Sequence, residues 1–151
     1  MLKLSELFAH WENVRAGLLE TIDKFEETEL QFEPFEGSWP AGQIMLHIAN
    51  TEDGWLNYVV RKELERWPRK HVLKRYPNKK AIKDLLAEIH QTTQAYLETL
   101  GLTELAREVQ TPWGGTVTLG WIIWHVLEHE IHHRGELSLI LGQFGREGLD
   151  V

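Results

Sequence analysis

Residues 119–143, LGWIIWHVLEHEIHHRGELSLILGQ, carry the pattern on which the fold is read. One line of side chains runs through them: Ile122, Val126, His129, His133, Leu137, Ile140 and, just beyond, Phe144. Spacings of three and four residues put all seven on one face of an α-helix. The helix is predicted from about Leu119 to Gln143, with Thr118 as its N-cap. Two histidines sit at the centre of a seam that is otherwise apolar.

Working outward, three more segments have helical periodicity. Leu7, Trp11, Val14, Leu18, Ile22 and Phe25 form one continuous stripe, with Ser5 as its predicted N-cap. EPFEGSWPAGQ (33–43) breaks the pattern through Pro34, Gly37 and Pro40. Proline is tolerated in a helix's first turn, so a second helix starts near Pro40. Its inward set is Ile44, His47 or Ile48, Thr51, Trp55 and Tyr58, and it is expected to fray near Trp67-Pro68. Asn78 caps a third helix bearing Ile82, Leu86, Ile89, Thr93, Tyr96 and Leu100, which stops near Gly101. Residues 107–118, with Pro112, Gly114 and Gly115, read as a small hairpin or an irregular loop. The expected fold is therefore all-α: a four-helix bundle with long amphipathic helices, forming a single domain over residues 1–151.

Composition narrows the chemistry. The chain has no cysteine, so a thiolate nucleophile and zinc–sulfur ligation are excluded, and any metal must be held by nitrogen and oxygen. The same absence fits a cytoplasmic protein. The N-terminal stretch lacks a signal peptide's apolar run, and no uncharged apolar segment reaches membrane-spanning length. A net charge of −7 argues against nucleic acid as a partner. Residues 61–83 are the exception, with ten Lys and Arg against Glu63 and Glu65. They read first as a solvated connection, next as a basic rim that attracts an anionic substrate, and last as a nucleic-acid patch, since no recognised binding motif accompanies them.

The seam histidines need partners. Burying an imidazole is costly unless its donor and acceptor nitrogens are both engaged. Side chains four apart share a face, so His129 and His133 can grip one ion, as the helical H-x-x-x-H pair does in zinc proteases. Hydrogen-bonded core histidines are the plainer reading of the pair. His47, on the inward side of the second helix, offers a third nitrogen. Three protein ligands plus an open position make a catalytic type of site. His132 competes as a ligand through its i, i+3 spacing from His129. Carboxylates at Glu52, Asp53, Glu128 and Glu130 are close in sequence, most of them read as solvated charges, with Asp53 a candidate acceptor for a ligand's second nitrogen.

The remaining groups are placed around this seam. His125 and His132 fall on an adjacent stripe with Trp121, Glu128 and Leu139, while His10, His71 and His90 read as surface or boundary residues. Trp124, Leu127, Ile131, Gly135 and Ser138 form a further face, suited to close helix packing within the bundle or between subunits.

Two motifs together resemble the DinB/YfiT-like family of metal-dependent four-helix-bundle proteins. One is GSWPAGQIMLHIANTED (37–53), with a tryptophan, a helix start and a histidine. The other is HVLEHEIHHRGEL (125–137), with its H-x-x-x-H-R-G run, and the ending GREGLD is similar too. Pro40-Ala41 departs from the pattern, since the family often has a polar residue after the tryptophan. The resemblance implies a divalent metal held by His47, His129 and His133, homodimers, and, for some members, a low-molecular-weight thiol as cosubstrate.

The expected function is that of a metalloenzyme: a small-molecule transferase or hydrolase, thiol-dependent in one version, using Zn²⁺, Ni²⁺ or Fe²⁺ on three histidines with one position open. Glu128 and His132 are the candidates for a general base. The alternative is a non-catalytic dimeric bundle, in which the histidines hold a structural metal or line a small-molecule site. Neither version expects a nucleic acid or a membrane as partner.

Overall fold

Helix begins two residues earlier than an N-cap at Ser5 predicts. The computed structural model describes residues 1–151 and starts with α1, Leu4–Leu7. Lys3, and not Ser5, is its N-cap: the Lys3 N–H donates to the Glu6 carboxylate at 2.8 Å. Ser5 lies inside the helix, and its hydroxyl is buried without a partner. The chain then breaks at Phe8 and Ala9 and resumes as α2, His10–Asp23.

Pro40 caps α3, Ala41–Asp53, as its fixed φ favours. From Gly54 to Val60 the chain continues as a π-helix, closed by the Arg61 N–H donating to the Leu56 carbonyl at 2.9 Å. Helical structure therefore ends well before Trp67-Pro68. The cause is tertiary: the chain doubles back along α3. A Cβ at Gly54 would lie 2.4 Å from the Trp67 ring, so only glycine admits that indole. Trp67 Nε1 donates to Asn50 Oδ1 at 2.9 Å, and Asn50 Nδ2 donates to the Pro68 carbonyl at 2.7 Å.

Asn78 caps α4, Lys79–Leu97, by accepting from the Ala81 N–H at 2.8 Å. The helix ends short of Gly101, which instead pairs with Lys3 and leads into a 3₁₀ turn, Leu102–Ala106. Residues 107–118 contain a hairpin: β1, Glu108–Gln110, runs antiparallel to β2, Thr116–Thr118, with Val109 opposite Val117. Thr118 then caps α5, Leu119–Gln143, accepting from the Trp121 N–H at 3.1 Å.

In the bundle, α2 and α3 each pack against both α4 and α5, so α2 and α3 stand at opposite corners. The core has two apolar halves. One gathers Leu18, Ile22, Ile44, Leu86 and Leu137; the other gathers Trp11, Val14, Leu56, Leu97 and Ile122. Between them each long helix contributes one buried ionisable side chain: Arg15, Glu52, His90 and Glu130. Arg15 donates to Glu52 Oε2 at 2.6 Å, to Glu130 Oε1 at 2.7 Å and to the Leu86 carbonyl at 2.8 Å. His90 Nδ1 lies 2.8 Å from Glu52 Oε1, and Trp11 Nε1 donates to Glu130 Oε1 at 3.2 Å.

This layer corrects three expectations. Glu52 and Glu130 are not solvated charges, and His90 is not a boundary residue. His71 is also buried, with Nε2 3.4 Å from Asp53 Oδ2, so Asp53 serves that histidine and no seam histidine. Burial would raise the Glu52 carboxyl, but Arg15 and the His90 hydrogen bond hold it low, to about 2.

Four of the seven tryptophans form one cluster. Trp55 meets Trp67, Trp113, Trp121 and His125 with ring centroids 5.3–6.1 Å apart, all edge-on. No helix is long and apolar enough to cross a membrane.

Candidate metal centre

Two rigid helices bring the three histidines together. His47 comes from α3, one turn before Thr51, and His129 and His133 come from successive turns of α5. Nε2 of His47 lies 2.9 Å from Nε2 of His129, whose Nε2 is also 3.3 Å from Thr51 Oγ1. Ring centroids are 4.6 Å apart for His47 and His129, 5.0 Å for His47 and His133, and 4.3 Å for His129 and His133. One nitrogen from each lies within 4.8 Å of the other two. Nitrogens around a tetrahedral zinc at roughly 2.0–2.1 Å stand about 3.3 Å from one another, so small side-chain movements suffice.

The donor set suits a cation. Burial, then the neighbouring His133, lowers the His47 pKa to about 4. Burial, His133 and His47 lower that of His129 to about 3. Both imidazoles are thus neutral at neutral pH, with lone pairs available. His133 Nδ1 lies 2.8 Å from Glu136 Oε2 and donates to it, which leaves Nε2 for a ligand. His132 Nε2 reaches the other oxygen, Oε1, at 3.1 Å.

A cleft of about 550 Å³ opens beside His133. The loop at residues 34–39 forms one wall, Ile44 of α3 the floor, and Glu136, Leu139 and Ile140 of α5 the other wall. Trp39 stands edge-on to His47, centroids 4.6 Å apart, so the cleft wall touches the histidine cluster.

The other sequence candidates fall outside this arrangement or at its edge. Glu128 is exposed and does not line the cleft. His132 is 64 % exposed and touches the site through Glu136. His125 stacks on Trp121 at 4.7 Å and is not one of the three converging histidines. No Lys or Arg lines the cleft, and Arg61 of the basic segment lies over the Tyr96 ring in a separate recess. Sequence reasoning missed Glu136, although its spacing of three from His133 and four from His132 announces the contact. It also left the loop at 34–39 as a mere interruption.

The fold and site define an all-α bundle carrying a three-histidine cluster at the edge of an open cleft. The chain belongs to the DinB superfamily, whose model matches residues 10–137. It is 25 % identical to the uncharacterised protein YjoA of Bacillus subtilis (strain 168), over 99 % of this chain and 96 % of that one. The crystal structure of YjoA, a DinB-like protein, matches with a TM-score of 0.72 and 23 % identity, covering 95 % of this chain and 94 % of that one. YfiT from Bacillus subtilis, described as a probable metal-dependent hydrolase with an unusual four-helix-bundle topology, matches at 0.58 with 22 % identity, over 87 % and 83 %. A mutant of the mycothiol-dependent maleylpyruvate isomerase matches at 0.61 with 15 % identity, over 87 % of this chain and 60 % of that one. At these identities the solved structures speak for the fold alone.

Proposed function

We propose that the protein is a metal-dependent enzyme acting on a small electrophile, by hydrolysis or by transfer to a low-molecular-weight thiol. His47, His129 and His133 would hold a divalent cation: zinc, nickel or iron. The observation that carries this reading is the position of the cluster, with its three imidazoles converging where a cleft opens beside His133. A closed structural site has no use for such an opening. The description of YfiT as a probable metal-dependent hydrolase accords with hydrolysis, and that of the isomerase as mycothiol-dependent accords with a thiol cosubstrate.

A cation held there would polarise a substrate oxygen, or acidify a water or thiol near neutral pH. The chain's own groups do the rest. Glu136 fixes the tautomer and orientation of His133 through the Nδ1 hydrogen bond. It also lines the cleft, and its second oxygen meets exposed His132, so a proton taken up at Glu136 has a route to solvent. Glu136 and His132 therefore take the general-base role, and Glu128 does not.

The test is elemental analysis of protein purified without a His-tag, followed by assays of ester hydrolysis and thiol transfer on the loaded protein. Metal near one equivalent, with activity lost on chelation and restored by one of the three cations, is the expected result. Substoichiometric metal, with no activity in the presence of any of the three cations, would leave a binding module with hydrogen-bonded core histidines.

We also propose that the active form is a homodimer. Its support is the outer face of α5, where Trp124 is 60 % and Ile131 40 % exposed beside an apolar groove lined by Phe8 and Leu127. A Cβ at Gly135, on the same face, would meet nothing within 4 Å, which leaves room for a second backbone. Light scattering at a dimer's mass for the wild type, and at a monomer's mass for Ile131→Lys, is expected.

A further inference from the structure

The cleft beside the histidines has walls that bear on what it holds. Phe35 is 70 % exposed, Trp39 50 % and Leu139 74 %, and all three line it. Large apolar side chains scattered singly over a surface need no explanation, but three converging on one concavity do. The loop that presents two of them is built for the purpose. The Ser38 N–H donates to the Phe35 carbonyl at 3.1 Å, closing a four-residue turn, and Gly37 takes a φ of +82° at its third position. That conformation needs glycine, and a Cβ there would meet nothing within 4 Å, so the glycine serves the turn and not packing.

Charge narrows the occupant further. Glu136 is the sole carboxylate on the lining, and no Lys or Arg accompanies it. Both of its oxygens face histidine nitrogens, at 2.8 Å and 3.1 Å. An anion entering the cleft would leave water for apolar walls, meet this carboxylate, and find no fixed positive side chain. An uncharged apolar group has no such penalty.

We propose that the cleft binds an uncharged aryl or branched alkyl group of the substrate and discriminates against anionic groups. The inference rests on the reading of the three histidines as the reactive centre, because the contact of Trp39 with His47 places a group held in the cleft next to them. Any anionic cosubstrate then has to approach the centre from another side.

The test uses ¹⁵N-labelled protein, with the Trp39 indole N–H resonance assigned by its loss in Trp39→Phe. Two probes of one shape, 2-naphthylmethanol and 2-naphthoate, are titrated into EDTA-treated protein, and zinc uptake is measured in a separate titration. The alcohol is expected to shift the Trp39 resonance and to bind at least about tenfold more tightly than the carboxylate, as loss of an ion's hydration without a counter-charge implies. Trp39→Ala should weaken the alcohol, and Leu139→Lys should narrow the gap by strengthening the carboxylate. Equal binding of the two probes, or a Trp39 resonance that moves with neither, overturns the proposal. Failure to take up zinc removes the metal reading alone, since the EDTA-treated protein still reports the cleft's preference. Zinc uptake without that preference removes the cleft proposal alone.

Discussion

Nε2 of His47, on α3, lies 2.9 Å from Nε2 of His129, on α5, and both helices belong to the bundle's rigid frame. Two imidazole nitrogens this close share one proton or one cation; they do not both carry protons. The pair therefore ties helix packing to occupancy. A cation that engages both rings also fixes α3 against α5, and so should raise stability by mass action.

Removal of any one ring should open the cluster. His47→Ala, His129→Ala and His133→Ala are each expected to lose stoichiometric metal, whereas His125→Ala, stacked on Trp121 elsewhere, retains it. Glu136→Ala should keep the metal but bind it roughly 10–100-fold more weakly, because it removes only the acceptor that orients His133. Competition titrations against a chromophoric chelator measure all five. Metal lost from His125→Ala and kept by His133→Ala would show the wrong face of α5 to be the site.

Acid should weaken the metal-free protein in a defined window. His47 and His129 have folded pKa values of about 4 and about 3, below the ordinary 6.5, with burial the larger cause in each. The unfolded chain therefore binds more protons than the folded one from about pH 6.5 downwards. The free energy of unfolding then rises with pH through this window and levels off above it. Urea unfolding of EDTA-treated protein between pH 4.5 and 7.5 should follow that slope, and His129→Gln should flatten it. A wild-type curve flat across this range would deny that these rings are buried as neutral groups.

Much of this was legible in the sequence. The α5 seam, the Thr118 and Asn78 caps and the glycine-bearing hairpin are local signals, and each element formed where its signal lay. The π-helical stretch and early stop of the second helix were not legible, because the Trp67 ring seated on Gly54 overrides local preference. Arg15 passed unnoticed, and His90 and Glu130 were misread, for another reason. Each stands four residues after an inward apolar residue (Trp11, Leu86 and Val126), but a charged or polar side chain there reads as surface until its partner on another helix is known. The cleft escaped notice because its walls come from a loop and two helices distant in sequence.

The Trp67 seat gives a test of that override. Gly54→Ala would put a methyl 2.4–2.6 Å from the indole ring, where something must shift. Overpacking of this kind costs about 1–3 kcal/mol, and the shift should release Trp67 from Asn50. The expected readings are a lower urea midpoint and a changed indole N–H resonance for Trp67, with metal uptake preserved. An unchanged midpoint would mean that the returning segment contributes nothing to stability.

The polar layer makes the sharpest stability prediction. Arg15 holds Glu52 and Glu130 in a core where both carboxylates are 1 % exposed. Arg15→Met keeps the side chain's length and apolar stem but leaves two buried carboxylates without their counter-charge. Breaking a buried pair in this way costs about 3–5 kcal/mol, far more than an exposed pair is worth. Replacing the carboxylates as well, in Arg15→Met with Glu52→Gln and Glu130→Gln, removes the uncompensated charge and should recover most of that loss. Denaturant unfolding of the single and triple variants separates the two cases. If the layer acts mainly through charge compensation, the triple variant is more stable than the single; if Arg15 acts mainly by filling space, the two are equally destabilised. The first outcome is expected, because Arg15 makes two short contacts to carboxylates and its desolvation is offset chiefly by Glu52 and Glu130.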